Sequence, residues 1–267
     1  MRVLISVDME GISGVTHWDH VTPDRSEYAR FRSIMTDETN AAIEGAFNAG
    51  ADRVVVVDGH DAGSNILLEK LDPRAKLITG SPAPLSMVEG VQNSDVAMFI
   101  GYHARSGTPN AILDHTWSDR VRFLSINDRE IGEIGFNAAV CGSFNVPIVM
   151  LSGDRAACDE AIELLGHIET VIVKSAVGRL TAECLSINAA HQMIREAAAR
   201  AIKQHPALFT FTPPMNVIIE FAHTGHIDRA LRIPGTRRVS GTRIEFQSAD
   251  ILAAYNTFRA IVAIAGD

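Results

Sequence analysis

The chain has 267 residues, 46% of them hydrophobic and 21% charged, with a formal net charge of −8 and a pI near 5.7. That length supports one large α/β domain, or one with a smaller subdomain, and the composition is that of an ordinary soluble globular protein. The acidic balance and the lack of a Lys/Arg cluster argue against a nucleic-acid binder, and no apolar stretch approaches a membrane span; with Asp8 and Glu10 interrupting the first apolar run no secretory leader is expected, which points to a cytoplasmic protein.

In chain order, the first apolar run predicts a strand over 2–8, followed by a polar stretch and a helix from Thr36 to Asn48 that Gly50 caps. A strand over 53–58, a short helix near 66–71, and strands over 76–79 and 95–100 come next. Residues 121–126 and the turn Asn127-Asp128 read as a hairpin leading into a helix that opens at Glu133. A strand over 147–151 and a helix over 154–165 complete a βα alternation, which predicts a mostly parallel central sheet with helices on both faces.

Beyond that point the texture changes. A strand near 169–174 precedes a long helix from Ser186 to Gln204, stopped by Pro206, then strands over 216–221 and 242–247 and a last helix over 249–265. Pro213-Pro214 and the stretch 223–241 are loop signals. The expected organisation is a metal-binding α/β catalytic core over 1–167 and a smaller α+β portion over 168–267 packed on it. Cys141, Cys158 and Cys184 form no Cys-x-x-Cys and are expected to be reduced and structural.

Asp8 and Glu10 close the first strand one residue apart, so both side chains leave on the same side at the strand end where α/β folds build sites. Two anions held side by side repel, and a cation between them relieves the repulsion. The second strand ends on Asp58 and His60, the fourth is followed by His103, and Glu133 opens a helix whose dipole favours an acid there. Asp8, Glu10, His60, His103 and Glu133 make a mixed nitrogen and oxygen set, which points to zinc over calcium or magnesium, with manganese, cobalt and iron as alternatives. Five ligands exceed what one open catalytic zinc takes, and suit two ions with one shared carboxylate. Such a pair can ionise a bridging water and polarise a scissile carbonyl, which is hydrolase chemistry.

His115 is the best remaining polar candidate, as an uncoordinated proton shuttle, although spacing alone favours a surface loop histidine. His17, His20, His167, His191 and His205 are expected to be solvated, and His223 and His226 to have at most a pocket or interface role. The chain carries no phosphate-binding Gly-rich loop, no Gly-x-Gly-x-x-Gly after the first strand and no Gly-x-Ser-x-Gly elbow. An aspartyl-phosphate phosphatase would use Asp8 as nucleophile but leaves His60 and His103 unexplained.

The segments SVDMEGISG (6–14), VDGH (57–60), GYHAR (101–105), DHT (114–116) and GEIGFNA (132–138) together resemble the D-aminopeptidase family, and the similarity runs over almost the whole chain. The resemblance implies two zinc ions per chain. The position of Asp8 would bridge them, those of Glu10 and Glu133 would complete one site, and those of His60 and His103 the other. It also implies a catalytic role for His115 and a decamer of two stacked pentameric rings. The implied substrates are short peptides with a free amino terminus, beginning with a D-residue such as D-alanine. Another dinuclear amidase or phosphohydrolase, or a non-catalytic module stapled by metal, are the alternatives.

Overall fold

A computed structural model describes residues 1–266 of the chain. The first half runs β1 (Arg2–Val7), α1 (Trp18–Val21), α2 (Tyr28–Asn48), β2 (Arg53–Asp58), β3 (Lys76–Ile78), β4 (Val96–Tyr102), β5 (Val121–Ile126), β6 (Arg129–Glu130) and α3 (Glu133–Ser143). The second runs β7 (Ile148–Asp154), α4 (Arg155–Leu165), β8 (Glu169–Gly178), β9 (Thr181–Cys184), α5 (Ile187–Ala201), β10 (Met215–Phe221), α6 (Thr224–Ala230), β11 (Arg237–Arg238), β12 (Arg243–Ser248) and α7 (Ile251–Ala265). Seven strands form the main sheet in the order β3-β2-β1-β4-β7-β8-β9, parallel except for β9, and five form an antiparallel sheet in the order β11-β12-β10-β5-β6.

Burial on both faces explains why the central strands read as unbroken apolar runs. Along β1, Val3, Ile5 and Val7 enter a core shared with α2 and α5, while Leu4 enters a second core with α3, α4, α7 and the antiparallel sheet. From β1 the chain winds one way through β2 and β3, and from β4 the other way through β7 and β8. The carboxyl ends of β1 and β4 therefore form the topological switch point where such sheets bind ligands.

Several expectations need correction. Helix α2 starts at Tyr28, eight residues before Thr36, because Arg30, Arg32 and Ser33 interleave with its buried Phe31, Ile34 and Met35 and mask the period. Residues 66–71 form turns, since the amides of Asn65 and Ile66 go to the Asp58 carboxylate (2.5 and 2.7 Å) and that of Leu67 to the Thr36 hydroxyl (3.0 Å). The stretch 223–241 contains α6 and β11, not only loop. The two sheets do not divide the chain at a single position. β5 and β6 pair with β10 in the second sheet, whereas β8 pairs with β7 in the first. Local periodicity cannot encode that choice of partner.

Candidate metal centre

The switch point gathers the expected ligands. Asp8 follows β1, Glu10 lies in the next turn, His60 follows β2, His103 directly follows β4, and Glu133 is the first residue of α3. Two glycines bring the ends of β1 and β4 together. Gly11 donates its amide to Gly101 O at 2.8 Å, and a Cβ on Gly11 would lie 2.0 Å from the Tyr102 carbonyl. Gly101 has a φ of +71°, and a Cβ there would lie 2.3 Å from Asp8 O.

All five side chains are buried. His60 donates Nε2–H to the Val21 carbonyl (2.8 Å), which turns Nδ1 toward Asp8 Oδ1 at 3.2 Å and Glu10 Oε2 at 3.1 Å. His103 donates Nδ1–H to the Ala104 carbonyl (3.0 Å) and turns Nε2 toward Glu133 Oε1 at 3.2 Å and Asp8 Oδ2 at 3.4 Å. Each imidazole thus has its outer nitrogen tied to backbone and its inner nitrogen aimed at carboxylates, the arrangement of a histidine ligand with its supporting acceptor. A lone pair facing carboxylates is repulsive unless a proton or a metal ion stands between them.

The electrostatics agree. Burial, with Glu10 alongside, raises the Asp8 carboxyl to about 7. Burial opposes ionisation of Glu10 and Glu133, yet His60 and His103 respectively outweigh it and hold both below the usual carboxylate range. Burial also opposes protonation of His60 and His103, but the carboxylates win and hold both well above the ordinary histidine value. Glu10 Oε2 and His103 Nε2 are shut off from solvent without a hydrogen-bond partner. Donor atoms of Asp8, Glu10 and His103 lie within 4.8 Å of one another, as do those of His103, His115 and Glu133. Buried orphan donors of this composition fit zinc. Against the expected grouping of Glu10 with Glu133 and of His60 with His103, the shortest contacts pair Glu10 with His60 and Glu133 with His103, with Asp8 touching both histidines.

This arrangement predicts a pH dependence for the metal-stripped protein. Asp8 is raised in the fold from 3.8 to about 7, so its contribution is full below the lower value and is lost as pH rises through the upper one. His60 and His103, raised above 6.5, act in the same direction at higher pH. Stability in chelator should therefore fall between about pH 5 and pH 8, while the zinc-induced rise in Tm grows, because the deprotonated groups are the ones that bind metal. Thermal melts with chelator and with zinc check this, and parallel pH profiles would reject the centre.

His115 is 9% exposed, against the surface position that its spacing favoured. It donates Nδ1–H to the Leu113 carbonyl at 2.9 Å, and Nε2 lies 3.8 Å from Glu133 Oε1. Its ring stacks on His103, centroids 3.9 Å apart, with the Trp18 ring edge-on at 5.4 Å. Burial, helped by His103, pushes its pKa below the ordinary value, so Nε2 is an acceptor near neutral pH.

Some of the supporting residues left no mark in the pattern. The Val21 carbonyl and Trp18 come from α1, in a stretch read only as polar. Lys174 did leave one, as a lone cation in an apolar strand. Its buried ammonium donates to the carbonyls of Glu10 (2.6 Å), Ile12 (2.8 Å) and Val15 (2.6 Å) and so fixes the loop that presents Glu10. Asp58 is spent on the amides of residues 65 and 66 and stands outside the ligand set. Among the expected solvated histidines, His20 is half-buried and stacks on Phe31. His223 is exposed, His226 donates to the Ala265 carbonyl, and neither lines the main cleft. Cys141 and Cys158 are buried and free, and Cys184 is free but exposed.

The centre floors a cleft of about 1030 Å³ whose walls carry Trp18, Trp117, Arg120 and Arg259. A family model described as D-aminopeptidase matches residues 1–260. The chain belongs to the D-aminopeptidase family. It is 40% identical to the D-aminopeptidase of Bacillus subtilis (strain 168) over 99% of this chain and 98% of that protein. The solved structure of the zinc-dependent D-aminopeptidase DppA from Bacillus subtilis, a self-compartmentalizing protease, superposes with a TM-score of 0.96 at 39% identity, covering 99% of this chain and 98% of that one. Membership in the D-aminopeptidase family does not favour the phosphohydrolase or the non-catalytic alternative. Among the described residues no helix is long and apolar enough to cross a membrane.

Proposed function

We propose that this member of the D-aminopeptidase family is a zinc-dependent aminopeptidase that removes the amino-terminal residue, a D-residue such as D-alanine, from short peptides. The observation that carries the reading is the convergence of five buried ligands with Glu10 Oε2 and His103 Nε2 unpartnered. Asp8, Glu10, His60, His103 and Glu133 would hold two zinc ions, with Asp8 shared. When bound, the metals supply Lewis acidity, polarising the scissile carbonyl and lowering the pKa of water. His115 takes and returns the proton at Nε2, its other nitrogen being held by the Leu113 carbonyl. Trp18 and Trp117 line the cleft above the buried carboxylates and offer apolar surface to a substrate side chain.

The test is hydrolysis of matched D- and L-alanyl peptides by the zinc-loaded protein, with metal content measured on the same sample. Turnover of the D-series with about two zinc ions per chain is expected. Zinc-loaded protein inactive toward both series would overturn the reading, and activity restored by magnesium alone would overturn the zinc assignment. The DppA relative is self-compartmentalizing, and this chain is proposed to assemble likewise, as a decamer of two pentameric rings in the cytoplasm. Light scattering should then report a mass many times 28.9 kDa; a stable monomer would rule the assembly out.

A further inference from the structure

The cleft above the proposed metal centre carries its ligands on the floor and cationic side chains on the walls. Its floor carries Asp8, Glu10 and Glu133, and among the described residues the guanidinium groups on its walls are those of Arg120 and Arg259. Arg259 is already engaged. It donates to the carbonyls of Pro84 (2.8 Å) and Ala83 (3.0 Å) and lies over the Tyr255 ring. Arg120 is exposed, and among the described residues no ion pair or side-chain hydrogen bond holds it. Its neighbour Asp119 leans instead toward Arg179 Nη2, at 3.7 Å.

Arg120 does not point away into solvent. A Cβ on Gly266 would lie 2.6 Å from its Nη1, so the guanidinium reaches from the start of β5 to the end of α7, and both residues line the cleft. On the same wall the Ser118 hydroxyl is shielded from solvent and lacks a partner among the described residues. A fork of donors with no partner among the described residues, on the wall of a cleft whose floor is the proposed metal centre, complements the carboxylate of a molecule whose other end lies at the metals.

We infer that Arg120 binds the free terminal carboxylate of a short peptide whose amino end lies at the metal centre. The inference rests on the aminopeptidase reading and adds to it a residue that selects for length and for an unblocked C-terminus. Arg120 lies five positions after His115 in the chain, which bounds their Cα separation at about 18 Å. An extended peptide of two to four residues is about 7–14 Å long, a span that fits inside that bound and inside the shared cleft. A longer or amidated peptide forfeits the contact.

The experiment compares kcat/KM for D-alanyl-glycine and for D-alanyl-glycine amide on the zinc-loaded wild type, Arg120→Ala and Arg120→Lys. The wild type should prefer the free acid. In Arg120→Ala the acid-to-amide ratio should fall about ten- to a hundredfold, chiefly through KM, as expected for losing a hydrogen bond to a charged group. Arg120→Lys should recover part of the ratio, and zinc content and circular dichroism should match the wild type in both variants. An unchanged ratio in Arg120→Ala would overturn the assignment of the arginine alone. A wild type that turns over neither compound would overturn the aminopeptidase reading and the inference with it.

Discussion

Asp8→Asn is expected to lose metal and activity together, with turnover down on the order of a thousandfold or more, since the metals supply several kcal/mol of transition-state stabilisation. Asp8 alone among the carboxylates touches both inner histidine nitrogens, Oδ1 toward His60 at 3.2 Å and Oδ2 toward His103 at 3.4 Å. The substitution keeps the size of the side chain but removes the anion that the two zinc ions are proposed to share. The metal-stripped protein should respond in the opposite sense. There Asp8 is crowded by Glu10, and the same two groups raise no repulsion once one is an amide. In chelator the variant should therefore melt at or above the wild-type temperature, while its stabilisation by zinc shrinks. Elemental analysis, steady-state kinetics and melts with and without zinc test this jointly. A variant that keeps both ions and near-normal turnover would show that Asp8 is not the shared ligand.

The main sheet and its ligand-bearing ends were legible in the sequence because each central strand is a continuous apolar run that stops at a polar residue. Asp8, His60 and His103 stand within two residues of such stops, so their convergence followed from a parallel sheet alone. Glu133 was legible for a different reason, as an acid opening a helix. What escaped was set by contacts between distant segments. Strand β5 looks like any half-buried strand, and its membership of the second sheet depends on pairing with β10, some ninety residues on. The acceptor that orients His60 is the backbone of Val21, and a carbonyl has no side-chain signature. His115 was ambiguous for the same reason. Its burial comes from Trp18 and His103 on other segments, and its own neighbours show only an irregular loop.

His115→Ala separates catalysis from metal binding. The ring is buried, Nδ1 is tied to the Leu113 carbonyl, and Nε2 faces the centre 3.8 Å from Glu133. Its pKa, lowered by burial and by the neighbouring His103, leaves that nitrogen unprotonated and able to take a proton near neutral pH. Removing it should leave the five ligands in place, since the supports of His60 and His103 are the carbonyls of Val21 and Ala104. The variant should thus keep its zinc and its fold, and lose about a hundred- to ten-thousandfold in turnover with a smaller change in KM, the cost of a positioned acid–base group. The donor atoms of His103, His115 and Glu133 are also close enough to share an ion, so the opposite result has a definite meaning. Loss of one zinc together with activity would make His115 a ligand and leave one of the five surplus. Metal content and kinetics from one preparation decide between the two roles, and unchanged kinetics would reject both.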